Sequence, residues 1–211
     1  MPIGILALQG DFDAHRRRLE ELGAEVVLVR KPEQFDQIDG LVIPGGESGA
    51  FLKLLGEAGF EKLKQFTHAK PTFGTCAGAI LLAAEIENPP QAGLSAINIR
   101  IRRNAYGRQI DSSIREGKFL VQKNLVQNRL AQNSSNNPAD QPGAPLEMVF
   151  IRAPKIVRVG EGVEVLAIEG TDETPVVVRQ GRAMAATFHP ELSDDTRVHQ
   201  AFLDLVRNGI S

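Results

Sequence analysis

From Ile3 to about Ala84 the chain alternates short apolar stretches with segments of helical periodicity, and this alternation restricts the fold more than any other feature. Ile3-Gly4-Ile5-Leu6-Ala7-Leu8 is a continuous apolar run of the kind buried on both faces of a parallel sheet. Residues 13–22 read as a helix, with Asp11 or Asp13 available as its cap and Leu19 and Leu22 on one side. Val26–Val29 and Leu41–Ile43 supply two more strands. Ser48–Leu55 and Glu61–Phe66 read as helical, broken near Gly56 and Gly59, and Pro71-Thr72-Phe73 is a fourth extended run. Repeated strand–helix units predict an α/β fold: a central, mostly parallel sheet flanked by helices, with loops at the strand C-termini forming the site.

After residue 93 the pattern turns to strands: Ile97–Ile101, Lys118–Gln122, Glu147–Ile151, Ile156–Val159, Val163–Ile168, Val176–Arg179 and Ala183–Phe188. Glycine-bearing turns separate the later ones, so additional antiparallel strands are expected in the C-terminal half. A last helix runs from about Asp195 to Arg207. One domain over 1–211 is expected, carrying a polar surface insertion at about 122–145. That stretch holds nine Asn or Gln residues and three prolines, too little apolar surface to offset its ordering entropy.

Charge and composition remove several function classes. With 24 basic and 26 acidic residues and a net charge of −2, the chain carries no nucleic-acid or membrane-surface signature. No apolar stretch approaches spanning length, and no signal-peptide layout opens the chain. The single cysteine excludes an internal disulfide and fits a reducing, cytoplasmic setting. Four scattered histidines and no CxxC pair give no zinc pattern, so no metal and no cofactor are expected.

That lone cysteine sits in Gly74-Thr75-Cys76-Ala77-Gly78, between an extended run and the helix-forming Ala79–Ala84. Small neighbours suit a sharp strand-to-helix elbow that thrusts a nucleophile outward, where a helix N-terminus favours thiolate. The pentapeptide alone is equally compatible with a small buried apolar residue. The balance shifts at Phe188-His189-Pro190-Glu191-Leu192, because a strand over Ala183–Phe188 delivers His189 at its end. In extended backbone Glu191 follows the His189 side chain. Thiol, base and orienting carboxylate form the logic of a nucleophilic triad.

Pro44-Gly45-Gly46-Glu47-Ser48 follows the third strand, and its free backbone N–H groups can face an oxyanion. In an elbow enzyme the second donor belongs to the residue after the nucleophile, here Ala77. The competing reading is a tight turn with Ser48 as a helix cap. His15-Arg16-Arg17-Arg18, followed by Glu20 and Glu21, reads as a solvated helix face, with a docking face as the alternative. His68 and His199 lack motif context and read as surface residues. Arg103 and Arg152 each follow a strand and would not stand out by chemistry alone.

In this order the Gly-Gly turn, the cysteine elbow and the His-x-Glu resemble the class I (triad) glutamine amidotransferases. Leu6-Ala7-Leu8-Gln9-Gly10-Asp11, Pro44–Ser48, Gly74–Ala79, Arg103-Asn104-Ala105-Tyr106-Gly107-Arg108-Gln109, Phe150-Ile151-Arg152-Ala153-Pro154 and Phe188–Leu192 are similar, block by block, to the glutaminase subunits of pyridoxal 5′-phosphate synthase. The resemblance implies a flavodoxin-like amidotransferase fold. The implied reaction is hydrolysis of L-glutamine to glutamate and ammonia through a cysteine γ-glutamyl thioester, feeding vitamin B6 synthesis. Cys76, His189 and Glu191 would be catalytic, Gly46 and Ala77 the oxyanion donors, and Gly46, Glu47, Ser48, Arg103, Ile151 and Arg152 the substrate site. Within it, Glu47 is assigned to the substrate ammonium and the arginines to its carboxylate. The implied partner is a (β/α)₈-barrel synthase subunit in a large hetero-oligomer, with pyridoxal 5′-phosphate its product and not a cofactor here. Two other readings stay open on the residues: another triad amidotransferase or γ-glutamyl hydrolase, and a non-catalytic flavodoxin-like module with a redox-sensing Cys76.

Overall fold

The computed structural model describes residues 1–105, 112–120 and 143–209. The polar 122–145 stretch therefore lies, up to Pro142, outside the described residues, as do Tyr106 to Gln109 of the arginine block. The strands are β1 (Pro2–Leu6), β2 (Glu25–Val29), β3 (Gly40–Ile43), β4 (Thr72–Thr75), β5 (Ala83–Glu87), β6 (Ile97–Arg102), β7 (Ser113–Phe119), β8 (Pro145–Phe150), β9 (Lys155–Val159), β10 (Glu164–Glu169), β11 (Thr174–Gln180) and β12 (Ala183–Ala186). The helices are α1 (Phe12–Glu21), α2 (Ser48–Ala69), α3 (Ala77–Leu82) and α4 (Arg197–Asn208).

Nine strands form one sheet in the order β2-β1-β3-β4-β12-β11-β10-β7-β8, and β5-β6-β9 form a second. From β2 to β12 the large sheet is parallel; from β12 to β8 it is antiparallel. This is the expected α/β architecture. Its parallel strands β3, β4 and β12 are buried at every position, because helices or strands cover both faces. Alternate residues serve opposite cores: Leu41 and Ile43 pack with Phe51, Leu63 and Ile99, while Val42 packs with Phe73, Phe202 and Val206. Thus α2, α3 and the small sheet cover one face, and α1 and α4 the other. Among the described residues no helix is long and apolar enough to cross a membrane.

Several boundaries differ from the sequence reading, each for a physical reason. The break in α2 falls at Gly56 (φ 61°, ψ −179°), while Gly59 continues the helix. The helix after the elbow stops at Leu82, and Ala83–Glu87 becomes β5, paired parallel to β6. Cross-strand pairing there overrides the helix propensity of Ala83 and Ala84. The strand placed at Lys118–Gln122 instead covers Ser113–Phe119, where β8 and β10 flank it.

The topology places the site. Ile43 pairs with Gly74 and Thr75 with Ala186, so β3, β4 and β12 end together. Gly45-Gly46, Cys76 and His189 leave the sheet from three neighbouring strand ends at one edge.

Candidate active site

Cys76 occupies the turn between β4 and α3 with φ 47° and ψ −100°, a left-handed backbone that costs a non-glycine residue about 1–3 kcal/mol. The turn is held by its surroundings. Cys76 N donates to Ala186 O at 2.9 Å, and Ile80 N to Cys76 O at 3.1 Å. A Cβ on Gly78 would come within 2.1 Å of the Ile43 carbonyl oxygen, so the small residues of the elbow answer to backbone packing against β3. The helix beyond has only six residues.

His189 follows β12 and anchors through its own N–H on Val149 O at 2.8 Å. Its Nδ1 lies 2.7 Å from Glu191 Oε1, and its ring lines the same cleft as the Cys76 side chain. The extended backbone expected between His189 and Glu191 is not what joins them. Pro190–Leu192 forms a turn of 3₁₀ helix with Pro190 at its start, and this turn brings the carboxylate back under the imidazole. Burial would lower the His189 pKa, but the neighbouring Cys76 and Glu191 side chains prevail and raise it to about 10. Burial likewise opposes the Glu191 charge, yet the neighbouring His15 and His189 hold its pKa down at about 2.

One cleft opens above these groups. Gly46, Glu47, Ser48, Cys76, Arg103, Ile151, Arg152 and His189 line it, together with Ile80 and Asn104. Eight of the ten residues singled out from sequence therefore share one surface. The other two lie behind it: Glu191 is buried beneath His189, and the Ala77 methyl packs in the core. Backbone strain gathers here too, since Asn104 (φ 52°) and Arg152 (φ 45°) join Cys76 in the left-handed region.

The cleft loop is built by neighbours that the sequence reading named within its motif blocks without giving them a site role. Gln9, just beyond β1, grips one peptide unit on each side: Glu47 N donates to Gln9 Oε1 at 3.2 Å, and Gln9 Nε2 donates to Glu47 O at 3.3 Å. A Cβ on Gly45 would lie 2.4 Å from His189 Cε1, so this glycine admits the imidazole. The cap of α2 is Glu47, not Ser48; its carboxylate accepts from Gly49 N at 3.0 Å and Ala50 N at 2.7 Å. Ser48 Oγ donates instead to Gln91 Oε1 at 2.9 Å. Arg103 pairs with Glu47 at 3.2 Å, whereas Arg152 makes no hydrogen bond or ion pair among the described residues.

Two further expectations are corrected. Arg16, Arg17 and Arg18 do form a solvated face with ion pairs to Asp13, Glu20, Glu21 and Asp194, but His15 points the other way and is fully buried. His199 is also fully buried, not superficial. It lies in the α4 stripe of Val198, Phe202, Leu203 and Val206, and its position one turn before Phe202 and Leu203 is the signal that would have placed it inward.

The model of the SNO glutamine amidotransferase family matches residues 5–208. The chain belongs to that family. Among similar proteins, the pyridoxal 5′-phosphate synthase subunit PdxT of Koribacter versatilis (strain Ellin345) is 59% identical over 211 residues, covering 100% of this chain and 98% of that one. The PdxT subunit of Solibacter usitatus (strain Ellin6076) is 50% identical over 202 residues, covering 95% and 97%. A crystal structure of a glutamine amidotransferase superposes with a TM-score of 0.80 at 39% identity, covering 97% of this chain and 98% of that chain. A putative GMP synthase protein from Thermoplasma acidophilum shares the fold, with a TM-score of 0.65 at 16% identity, covering 100% of this chain and 94% of that chain.

Proposed function

We propose that the chain hydrolyses L-glutamine to L-glutamate and ammonia and delivers the ammonia to the synthase component of pyridoxal 5′-phosphate synthase. The observation that carries this reading is the His189 side chain, bonded to Glu191 at 2.7 Å and lining, with Cys76, one cleft that bears two arginines. Family membership and the PdxT relatives support the reaction and the pathway.

In this reading Cys76 Sγ attacks the side-chain carboxamide carbon of glutamine. The oxyanion develops towards the backbone N–H groups of Gly46 and Ala77. His189 gives a proton to the departing nitrogen; the C–N bond breaks, ammonia leaves, and a γ-glutamyl thioester remains on Cys76. His189 then takes a proton from water, hydroxide attacks the thioester carbon, and glutamate leaves as the C–S bond breaks. Glu191 holds the imidazole in one tautomer and supports its positive charge. Arg152, with no protein partner among the described residues, is the first candidate for the substrate carboxylate, and Glu47, Ser48, Arg103 and Ile151 complete the wall.

The partner in this proposal is a (β/α)₈-barrel synthase, assembled with this chain in a large hetero-oligomer. The deciding experiment measures glutamate and ammonia released from glutamine, with and without that synthase. One-to-one release that requires Cys76 is expected; no hydrolysis by the assembled complex would refute the proposal.

A further inference from the structure

Two histidines lie in the core with no part in the chemistry above. His15 on α1 and His199 on α4 are both fully buried, and both set their rings edge-on to Phe73 of β4. Polar rings on the buried faces of two helices cost stability unless they are hydrogen-bonded, and apolar residues of the same size would avoid that cost. The contacts these two make run in one direction, towards the site. His199 Nε2 lies 2.9 Å from His15 Nδ1; His15 Nε2 lies 3.0 Å from Thr75 Oγ1, next to Cys76, and 3.3 Å from Glu191 Oε2. Glu191 Oε2 accepts no hydrogen bond among the described residues, and its close polar contact is the 3.3 Å approach of His15 Nε2.

We propose that His15 is a positioning residue of the glutaminase site, and that His199 sets its tautomer so that Glu191 is held at both carboxylate oxygens. The proposal rests on the glutaminase reading. Two independent ends of the chain of contacts choose the same proton arrangement. At the far end, His199 Nδ1 is buried without a partner. An unpaired lone pair there costs less than an unpaired N–H, so the proton sits on Nε2 and is donated to His15 Nδ1. At the near end, a carboxylate oxygen faces His15 Nε2, which favours an N–H there over a lone pair. Both ends therefore leave His15 neutral, with its Nε2–H hydrogen-bonded to Thr75 Oγ1 and its electropositive edge 3.3 Å from Glu191 Oε2. Burial supports neutral rings: it keeps His15 below its ordinary pKa against the pull of Glu191, and His199 at about 3.

Glu191 is then clamped between two imidazoles, His189 on Oε1 and His15 on Oε2, and cannot turn about its terminal torsion without losing one. Removing the inner clamp leaves a buried carboxylate oxygen facing nothing. The carboxylate would rotate towards other partners, and His189 would lose the support that aligns it on Cys76.

The test uses the assembled complex and counts competent sites by titration with a diazoketone glutamine analogue that alkylates Cys76. Per titrated site, His15→Leu is expected to lower kcat on the order of ten- to a hundred-fold while KM for glutamine stays within about two-fold. His15→Gln keeps an N–H donor at nearly the same reach and should recover most of the loss. His199→Leu should give a smaller kcat loss of the same kind, and it reads the proposal independently if His15→Leu does not fold. A purely structural role would lower the number of titratable sites and leave kcat per site unchanged. That result, or failure of a folded His15→Gln to exceed His15→Leu, would overturn the proposal. Activity surviving in Cys76→Ala would instead strike at the glutaminase reading itself.

Discussion

Glu47 Oε1 lies 3.2 Å from Arg103 Nη2, within the wall of the cleft, so the two residues assigned from sequence to opposite ends of one substrate are joined to each other. The Glu47 side chain is 57% exposed and that of Arg103 16%, and a pair so open to water is worth about 0–1 kcal/mol. A substrate carboxylate can therefore displace Glu47 from Arg103 at small cost. Arg103→Ala is expected to raise KM for glutamine by roughly ten-fold, the scale of one charged hydrogen bond, with a smaller change in kcat. Steady-state kinetics of the complex separate the two parameters; a kcat loss at constant KM would assign Arg103 to the chemistry instead.

Cys76→Ala should abolish glutamine hydrolysis without unfolding the chain. The residue is 6% exposed, yet alanine keeps its Cβ and removes only the sulfur, which faces His189 and the cleft. Thermal melting and binding to the synthase should match the parent. Measurable hydrolysis by the purified variant would remove Cys76 from its role.

His189→Asn should damage turnover more than Glu191→Gln, because in the proposed mechanism His189 moves protons and Glu191 orients it. The pair also predicts a pH effect on stability. His189 titrates near 10 when folded against 6.5 ordinarily, so its stabilisation is complete below 6.5 and is lost as pH rises towards 10. Glu191 runs the other way: its pKa of about 2 against 4.5 means its stabilisation is present above 4.5 and is lost on acidification towards 2. Urea unfolding of the parent should therefore weaken more between about pH 6.5 and about pH 9 than unfolding of His189→Asn. Parallel curves would refute the assignment.

Gly46 has φ 140°, and a Cβ there would sit 2.3 Å from Gln9 Oε1. Glycine lets the peptide before it rotate, so a partner docked at this strand end can select the orientation that turns an N–H to the oxyanion. Glutamine hydrolysis should rise strongly when the synthase is added, and Gly46→Ala should lower the stimulated rate by ~10²–10³, the cost of one oxyanion donor. Equal rates with and without a bound synthase would exclude activation by docking.

Replacing residues 122–141 with a short turn should leave stimulated activity within a few-fold of the parent. The described residues that flank the segment are already neighbours: Gly143 N donates to Phe119 O at 3.1 Å, and Phe119 N to Ala144 O at 3.3 Å. A hairpin turn can close β7 onto β8 there without moving the site. A folded but inactive variant would show that the segment takes part in catalysis or docking.

What the sequence disclosed follows from how each residue signals its place. Buried parallel strands announce themselves as apolar runs, and β1, β3 and β12 were legible for that reason. Cys76 and His189 were legible because a sharp turn and a strand end each leave a local mark. The strand Ala83–Glu87 was hidden because its pairing with β6 is non-local and its alanines favour helix. His15 was masked by the arginines that follow it, and His199 by the absence of any motif around it. Their shared environment arises only when α1 and α4 pack on the same face of the sheet. The Glu47–Arg103 pair was likewise out of reach, because it depends on side-chain contacts 56 positions apart.

The strand nearest the C-terminus, β12, lies in the interior of the large sheet, between β4 and β11, and is the one that delivers His189. During synthesis the elbow and the Gly-Gly turn emerge long before the strand that completes them. Until residues 183–186 insert beside β4, Cys76 N lacks its acceptor on Ala186 and the thiol has no base. In the proposed mechanism, a chain that lacks this strand is inert towards glutamine. Ammonia release in that mechanism begins only after the most non-local strand pairing of the large sheet has formed.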